Sequence, residues 1–154
     1  MSQSFNWLVL IPFLFVLWVG LTSPEQKLVS MIGASLFSLI ELCYCKITCG
    51  HWHTTIEQWL CNILTIPIAL DAYKWVIPNM LIRIALMPLN VWSVEILQTI
   101  LLVSLYGFNP AWNYTGKRGS RLNGAIRLTM FPEWWILGCA IECIFPSLLS
   151  LVSL

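Results

Sequence analysis

The chain has 154 residues, of which 58% are hydrophobic and only 10% are charged, and its formal net charge is +1. A soluble domain carries about 25% charged residues, so the composition excludes an ordinary water-soluble domain and also a disordered chain. The small net charge lacks the basic excess that a nucleic-acid partner requires. Together with a mean hydropathy of +0.79, these values indicate a membrane protein with several spanning segments.

Five segments of the chain are apolar enough to predict membrane-spanning helices, because a span needs about 20 mostly apolar residues. In chain order they cover residues 5–21, 28–45, 59–77, 81–105 and 130–154. The third is the weakest by hydropathy, since it carries Asp71 and Lys74. Tryptophans near several segment ends support the boundaries, because Trp prefers the membrane interface. We therefore expect an all-α, polytopic helix bundle of about five transmembrane helices, with residues 1–154 forming a single membrane domain.

The first segment has the length of a signal peptide but not its flanks. No Lys or Arg precedes it, and no Ala-x-Ala-like cleavage site follows Leu21. We therefore expect an uncleaved helix at this position.

Basic residues predict the orientation of the chain in the membrane. The connection 107–129 holds Lys117, Arg118, Arg121 and Arg127. Because Lys and Arg are enriched in cytoplasmic loops, we expect this basic loop and the N-terminus to face the cytoplasm. The four basic residues are also candidates to contact the headgroups of membrane lipids, or they serve only to set the topology. On this orientation the sequon Asn113-Tyr114-Thr115 stays unglycosylated.

Four of the predicted spans contain an acidic residue: Glu41, Asp71, Glu95 and Glu142. An ionisable group inside a membrane is costly, so it suggests a functional site. Helical spacing places Glu41, Glu95 and Glu142 on stripes of small or polar residues that we expect to face the bundle interior. With Arg83, these three acids form our predicted ion or substrate site. The alternative is that the acids are neutral or paired and hold helices together by hydrogen bonds. Asp71 and Lys74, three residues apart on one helix, can pair with each other.

Other patterns that suggest chemistry do not meet the requirements of a metal or nucleotide site. Residues 43–53 contain three cysteines and two histidines, but their spacing departs from that of zinc sites, and thiols that are free or palmitoylated at a membrane boundary fit better. A phosphate-binding loop at Gly116-Lys117 fails at Ala111 and Arg118, where Gly and Ser or Thr are required. No nucleophile and base can be placed together. We expect no enzymatic activity, no metal and no cofactor.

The second half of the chain contains three motifs in a characteristic order. They are Trp112-Asn113-Tyr114-Thr115, then Leu122-Asn123-Gly124-Ala125-Ile126-Arg127-Leu128, then Trp134-Trp135-Ile136-Leu137-Gly138 followed by Glu142. This order resembles the type IV ABC-transporter family of small membrane proteins, which includes transmembrane protein 229. Arg83, Trp92 and Glu95 resemble features of its preceding span, and Glu41 resembles the acid of its first span. Asn113 stands where the family has Asp.

The resemblance covers about residues 28–146 and implies that the second to fifth spans form the family core. It implies a transport-associated component that works with other membrane subunits or as a homo-oligomer. The alternative is a structural or accessory subunit of a larger membrane complex, which suits the short loops and the many aromatic residues.

Overall fold

The computed structural model of the chain describes residues 12–13 and 15–152. Four long helices dominate it: α1 (Pro24–Cys49), α2 (Ile56–Val76), α3 (Met80–Tyr106) and α4 (Phe131–Val152). Residues 12–13 and 15–21 are also helical, and we call them the N-terminal helical segment. The prediction of a helical bundle is confirmed.

The helix boundaries follow local chemistry that the sequence contains. Ser23, Thr55 and Asn79 precede α1, α2 and α3, and each side chain accepts a hydrogen bond from a backbone N–H of the first turn. Gly50 and Gly107 end α1 and α3 with φ angles of 79° and 80°, a conformation that glycine adopts without steric cost.

The four helices form an antiparallel ring, in which α1 and α3 each contact both α2 and α4. Opposite chain directions are evident where Arg83 meets Glu142 and, one turn further along α3, Met87 meets Gly138. The connections 50–55 and 107–130 therefore lie at one end of the bundle, which we call the loop end. The short turn 77–79 lies at the other, the turn end.

Three of the described helical stretches are long and apolar enough to cross a membrane: Pro24–Thr48, Met80–Tyr106 and Leu128–Val152. The expectation of about five spans is therefore not supported. The segment predicted at 59–77 is the helix α2, but it does not qualify, because Glu57, Asp71 and Lys74 dilute its apolar residues. Residues 5–11 and 14 of the segment predicted at 5–21 lie outside the described residues. Residues 153–154 of the last predicted span also lie outside them.

The connection between α3 and α4 is a folded unit that adds a short β-hairpin to the helical fold. Within residues 107–130, which we call the hairpin cap, the strands β1 (Ser120–Arg121) and β2 (Ile126–Arg127) pair antiparallel, and a short 3₁₀ helix (Leu128–Met130) leads into α4. A Cβ atom at Gly124 would lie 2.4 Å from Oδ1 of Asn113, so only glycine fits at this turn. The sequence signal for this hairpin is weak, because its strands have two residues each.

Helices α3 and α4 approach closely at Gly138. A Cβ atom added there would lie 2.5 Å from Cγ and 2.6 Å from Cβ of Met87, which is itself fully buried. Small residues at helix crossings allow backbones to pack closely inside membranes. The glycine lies one helical turn from Glu142, so this close approach also sets the distance across which Glu142 meets its partner on α3.

The first prediction concerns this contact. We expect Gly138→Ala to lower the free energy of unfolding by about 1–3 kcal/mol, the usual cost of overpacking, because the base of the Met87 side chain cannot move aside freely. Gly33→Ala is the matched control, since a Cβ atom at Gly33 meets nothing within 4 Å. The measurement is reversible unfolding in detergent or bicelles. Equal stability of the two variants would contradict the prediction.

Candidate functional site

The strongest polar contact of the bundle interior is an ion pair between α3 and α4. Arg83 donates from Nε to Oε1 of Glu142 at 2.6 Å and from Nη2 to Oε2 at 2.7 Å. The side chains are only 10% and 3% exposed. A bidentate arginine–carboxylate pair is among the strongest hydrogen-bonded arrangements in proteins, and in an apolar setting neither partner is stable alone. The pair therefore locks α3 to α4.

The same arginine closes the turn end of the bundle. Its Nη1 atom donates to the backbone oxygens of Ile77 and Pro78, at 2.9 and 2.7 Å. In return, the hydroxyl of Tyr73 on α2 donates to the backbone oxygen of Arg83 at 2.8 Å. All three nitrogens of the guanidinium are thus engaged, and Arg83 connects α2, the turn and α4.

Glu95 occupies a different part of α3, twelve residues beyond Arg83 or about 18 Å along the helix. It is 8% exposed and lies near the middle of its candidate span. Its Oε1 atom accepts a hydrogen bond of 3.2 Å from the hydroxyl of Tyr114, in the hairpin cap. Its Oε2 atom is buried and has no hydrogen-bond partner. Buried carboxylate oxygens are rarely left in this state, so Glu95 is the least satisfied acid of the site.

The hairpin cap positions Tyr114 over Glu95. The backbone N–H of Tyr114 donates to the oxygen of Gly124 at 3.0 Å, and Nε1 of Trp112 donates to the oxygen of Ala125 at 2.9 Å. Burial and the nearby charges of Glu95 and Glu41 raise the pKa of the Tyr114 phenol above its ordinary value. The phenol therefore stays protonated and available to Glu95.

A layer of uncharged polar side chains adjoins Glu95 between α2 and α3. Gln98 donates from Nε2 to Oγ1 of Thr65 at 2.7 Å and to Oδ1 of Asn62 at 3.3 Å. Gln98 and Asn62 are buried. Since hydrogen bonds of this kind hold helices together in membranes, the layer positions α2 against the face of α3 that carries Glu95.

Glu41 joins α1 to the beginning of α2 near the loop end. Its two carboxylate oxygens accept from Nε2 of Gln58 at 3.0 Å and from the hydroxyl of Thr54 at 2.9 Å. Both oxygens are thus partnered, although Oε1 of Gln58 is not. This arrangement fits the expectation that interior acids hold helices together.

Indole and hydroxyl groups with unpartnered polar atoms are found in the same half of the bundle. Trp92 is one turn from Glu95 on α3, and Trp134 stacks on Phe37 across α1 and α4. Buried polar atoms without partners include Nε1 of both tryptophans and the hydroxyl oxygen of Ser38. Several buried polar groups in this half of the bundle therefore have no hydrogen-bond partner among the described residues.

The structure divides the predicted acidic site into separate places. Glu142 and Arg83 form one closed pair toward the turn end. Glu41 and Glu95 lie nearer the loop end and have separate partners, Thr54 and Gln58 for Glu41 and Tyr114 of the hairpin cap for Glu95. Asp71 accepts from the side chain of Gln26 rather than from the nearby Lys74, whose ammonium lies 5.1 Å from the ring centre of Phe145. Sequence reasoning did not find Tyr114 as a partner of Glu95, because their contact joins a loop to a span.

The other predicted sites are placed as follows. Among the described residues, no group of three or more His, Cys, Asp or Glu side chains is arranged to hold a metal ion. Cys139 and Cys143 form no disulfide. Lys117, Arg118 and Arg121 are exposed on the hairpin cap, whereas Arg127 is half-buried and donates to the hydroxyl of Thr129 at 2.7 Å.

Comparison of the chain with models of known families, with characterised proteins and with solved structures finds no match.

The second prediction concerns the ion pair. We expect Arg83→Gln to lower the free energy of unfolding by about 3–5 kcal/mol, because it leaves the Glu142 carboxylate buried without its cation. Unfolding of the purified protein in bicelles measures this change.

Two further variants make the result specific. The double variant Arg83→Gln/Glu142→Gln removes both charges, so we expect it to recover a large part of the loss. Arg118→Gln, an exposed position, is the control and is expected to change stability by less than about 0.5 kcal/mol. A double variant no more stable than Arg83→Gln would refute the pairing argument.

Proposed function

We propose that this chain is a non-enzymatic, multi-pass membrane protein with a transport-associated function, in which Glu95 binds a proton or a small cation. The observation that carries the proposal is the state of the Glu95 carboxyl. It is buried in the middle of a candidate span, with one oxygen on Tyr114 and the other unpartnered. The resemblance to the type IV ABC-transporter family supports the same reading through Arg83, Trp92 and Glu95.

The contrast between Glu95 and Glu142 supports the choice of residue. Arginine only donates hydrogen bonds and stays charged, so Glu142 is held as a carboxylate by a partner that cannot leave without a large cost. Glu95 faces a neutral phenol instead. A carboxyl group in this setting can gain a proton or a cation without breaking an ion pair, which is what an ion-conducting or ion-coupled site requires.

The charge balance of the interior also favours a positively charged ligand. Among the described residues, the buried acids are Glu95 and Glu142, and the buried cation is Arg83, which pairs with Glu142. Burying an uncompensated carboxylate is unfavourable in an apolar medium. A bound proton or cation removes that penalty at Glu95, where the structure leaves an acceptor open.

The third prediction tests the site in two ways. Dicyclohexylcarbodiimide reacts with protonated carboxyl groups in apolar surroundings, and we expect it to label Glu95 and not the equally buried Glu142, as read by peptide mass. In vesicles with an entrapped pH-sensitive dye and an imposed potential, we expect Glu95→Gln to remove proton flux.

The controls separate function from assembly. Glu133→Gln changes an exposed acid at the start of α4 and is expected to keep the parental flux. The native mass of Glu95→Gln should equal that of the parent chain. If Glu95→Gln lost assembly, or if flux were unaltered, the acid would have a structural role and the proposal would fail.

A second candidate function, a structural or accessory subunit of a larger membrane complex, is favoured by a groove on the outside of the bundle. The groove has a volume of about 420 Å³ and is bordered by Leu17 of the N-terminal helical segment and by residues of α2 and α3, including Thr65 and Gln98. Its wall includes the small residues Ala69 and Ala72, which allow a helix to approach. Ala69→Leu should then detach a partner subunit, measured by native mass after gentle extraction.

The fourth prediction concerns orientation. We propose that the loop end faces the cytoplasm, because it contains Lys46 and the four basic residues of the hairpin cap. Asn113 is exposed and its sequon should remain unmodified, although its side chain is reachable. The mass of the protein from a eukaryotic host, with and without glycosidase, measures this. A glycan on Asn113 would show that the loop end faces away from the cytoplasm and would contradict the proposed orientation.

A further inference from the structure

The hairpin cap contains basic residues and no acidic residue. No Asp or Glu occurs between residues 107 and 132. Lys117, Arg118 and Arg121 are exposed, and Nη1 of Arg121 donates to the backbone oxygen of Ser120 at 2.8 Å. Arg127 differs from them because its guanidinium is bound to Thr129. The three exposed residues thus form a positive surface beside the beginning of a candidate span.

Two large apolar side chains are exposed next to this positive surface. Leu122, at the tip of the hairpin, is 60% exposed, and Phe108 is 62% exposed. Leu122 and Asn123 have φ angles of 52° and 53°, because they are the central residues of the tight turn that the Gly124 N–H closes onto the Arg121 oxygen. Leu122 and Phe108 border a cavity of about 330 Å³, whose wall also includes Asn109 and Asn123.

We propose that the hairpin cap binds an anionic phospholipid of the adjacent membrane leaflet, with Lys117, Arg118 and Arg121 on the headgroup and with Leu122 and Phe108 among the acyl chains. Cations next to exposed apolar side chains match the chemistry of a phospholipid, which has a phosphate attached to a hydrocarbon part. The cavity bordered by Leu122 and Phe108 accepts the part of the lipid between the phosphate and the acyl chains. This site is separate from Glu95 and does not depend on the proposed transport function.

A phosphate ion alone fits the surface less well, because it would leave Leu122 and Phe108 exposed to water. Orientation by basic residues alone also leaves the exposed Leu122 and Phe108 side chains unexplained, since topology needs only the charges. A lipid accounts for the charges, the apolar tip and the cavity together.

The fifth prediction uses lipid binding to the full chain in detergent, measured by native mass spectrometry. The probes are phosphatidylglycerol and phosphatidylcholine with identical acyl chains. We expect the parent chain to prefer phosphatidylglycerol. The variant Lys117→Gln/Arg118→Gln/Arg121→Gln should lose that preference by at least tenfold, because each basic residue near an anionic surface contributes about fivefold.

Matched variants separate charge from apolar contact. Lys46→Gln removes a cation at the same end of the bundle that already donates to the Gly50 oxygen, and it should keep the preference. Leu122→Asn places a residue that tolerates the left-handed conformation at the tip, so the fold is kept while binding of both lipids should weaken.

Three results would overturn the proposal. They are a triple variant with the parental preference, a Leu122→Asn variant that binds both lipids as the parent does, and displacement of phosphatidylglycerol by equimolar inorganic phosphate. The last result would identify a phosphate site instead of a lipid site.

Discussion

The bidentate contact between Arg83 and Glu142 is the interaction on which the arrangement of the bundle depends. In an apolar medium, two opposite charges at this separation attract strongly, and separating them exposes each to a solvent that cannot stabilise it. The pair joins the start of α3 to the second half of α4, and the remaining guanidinium nitrogen holds the end of α2. Gly138 makes the contact geometrically available, because any larger residue would separate the two helices at Met87.

Once α3 and α4 are held in this way, the other polar contacts have fixed positions. Gln98 reaches Asn62 and Thr65 on α2, and Glu41 on α1 reaches the beginning of α2. The ring therefore has polar connections at several depths, while its outer surface stays apolar. Both carboxylate oxygens of Glu41 and of Glu142 accept hydrogen bonds, whereas one carboxylate oxygen of Glu95 has no partner. That difference, and not the number of buried acids, distinguishes a candidate ion site from helix-connecting groups.

Hydropathy made much of the helical architecture predictable. The spans at 28–45, 81–105 and 130–154 correspond to α1, α3 and α4, since a long apolar run is a local feature of the sequence. The count of five is not supported, because a helix can belong to the bundle without enough apolar residues to qualify as a span, as α2 does.

The candidate site was predictable in composition but not in arrangement. Glu41, Arg83, Glu95 and Glu142 stand out because ionisable residues are rare inside spans. Arg83 and Glu142 are 59 positions apart in the chain, and their contact depends on the antiparallel packing of α3 against α4. The contact from Tyr114 depends on a hairpin with two-residue strands, whose pairing leaves almost no periodic signal in the sequence.

The hydroxyl of Tyr114 has a property that the guanidinium of Arg83 lacks: it can accept a hydrogen bond as well as donate one. It donates to a Glu95 carboxylate, and it can accept from the same group once that group is protonated. The change requires only rotation of the phenolic hydrogen, with both oxygens staying 3.2 Å apart. The contact between Tyr114 and Glu95 can therefore persist in both chemical forms of the acid without any rearrangement of the helices.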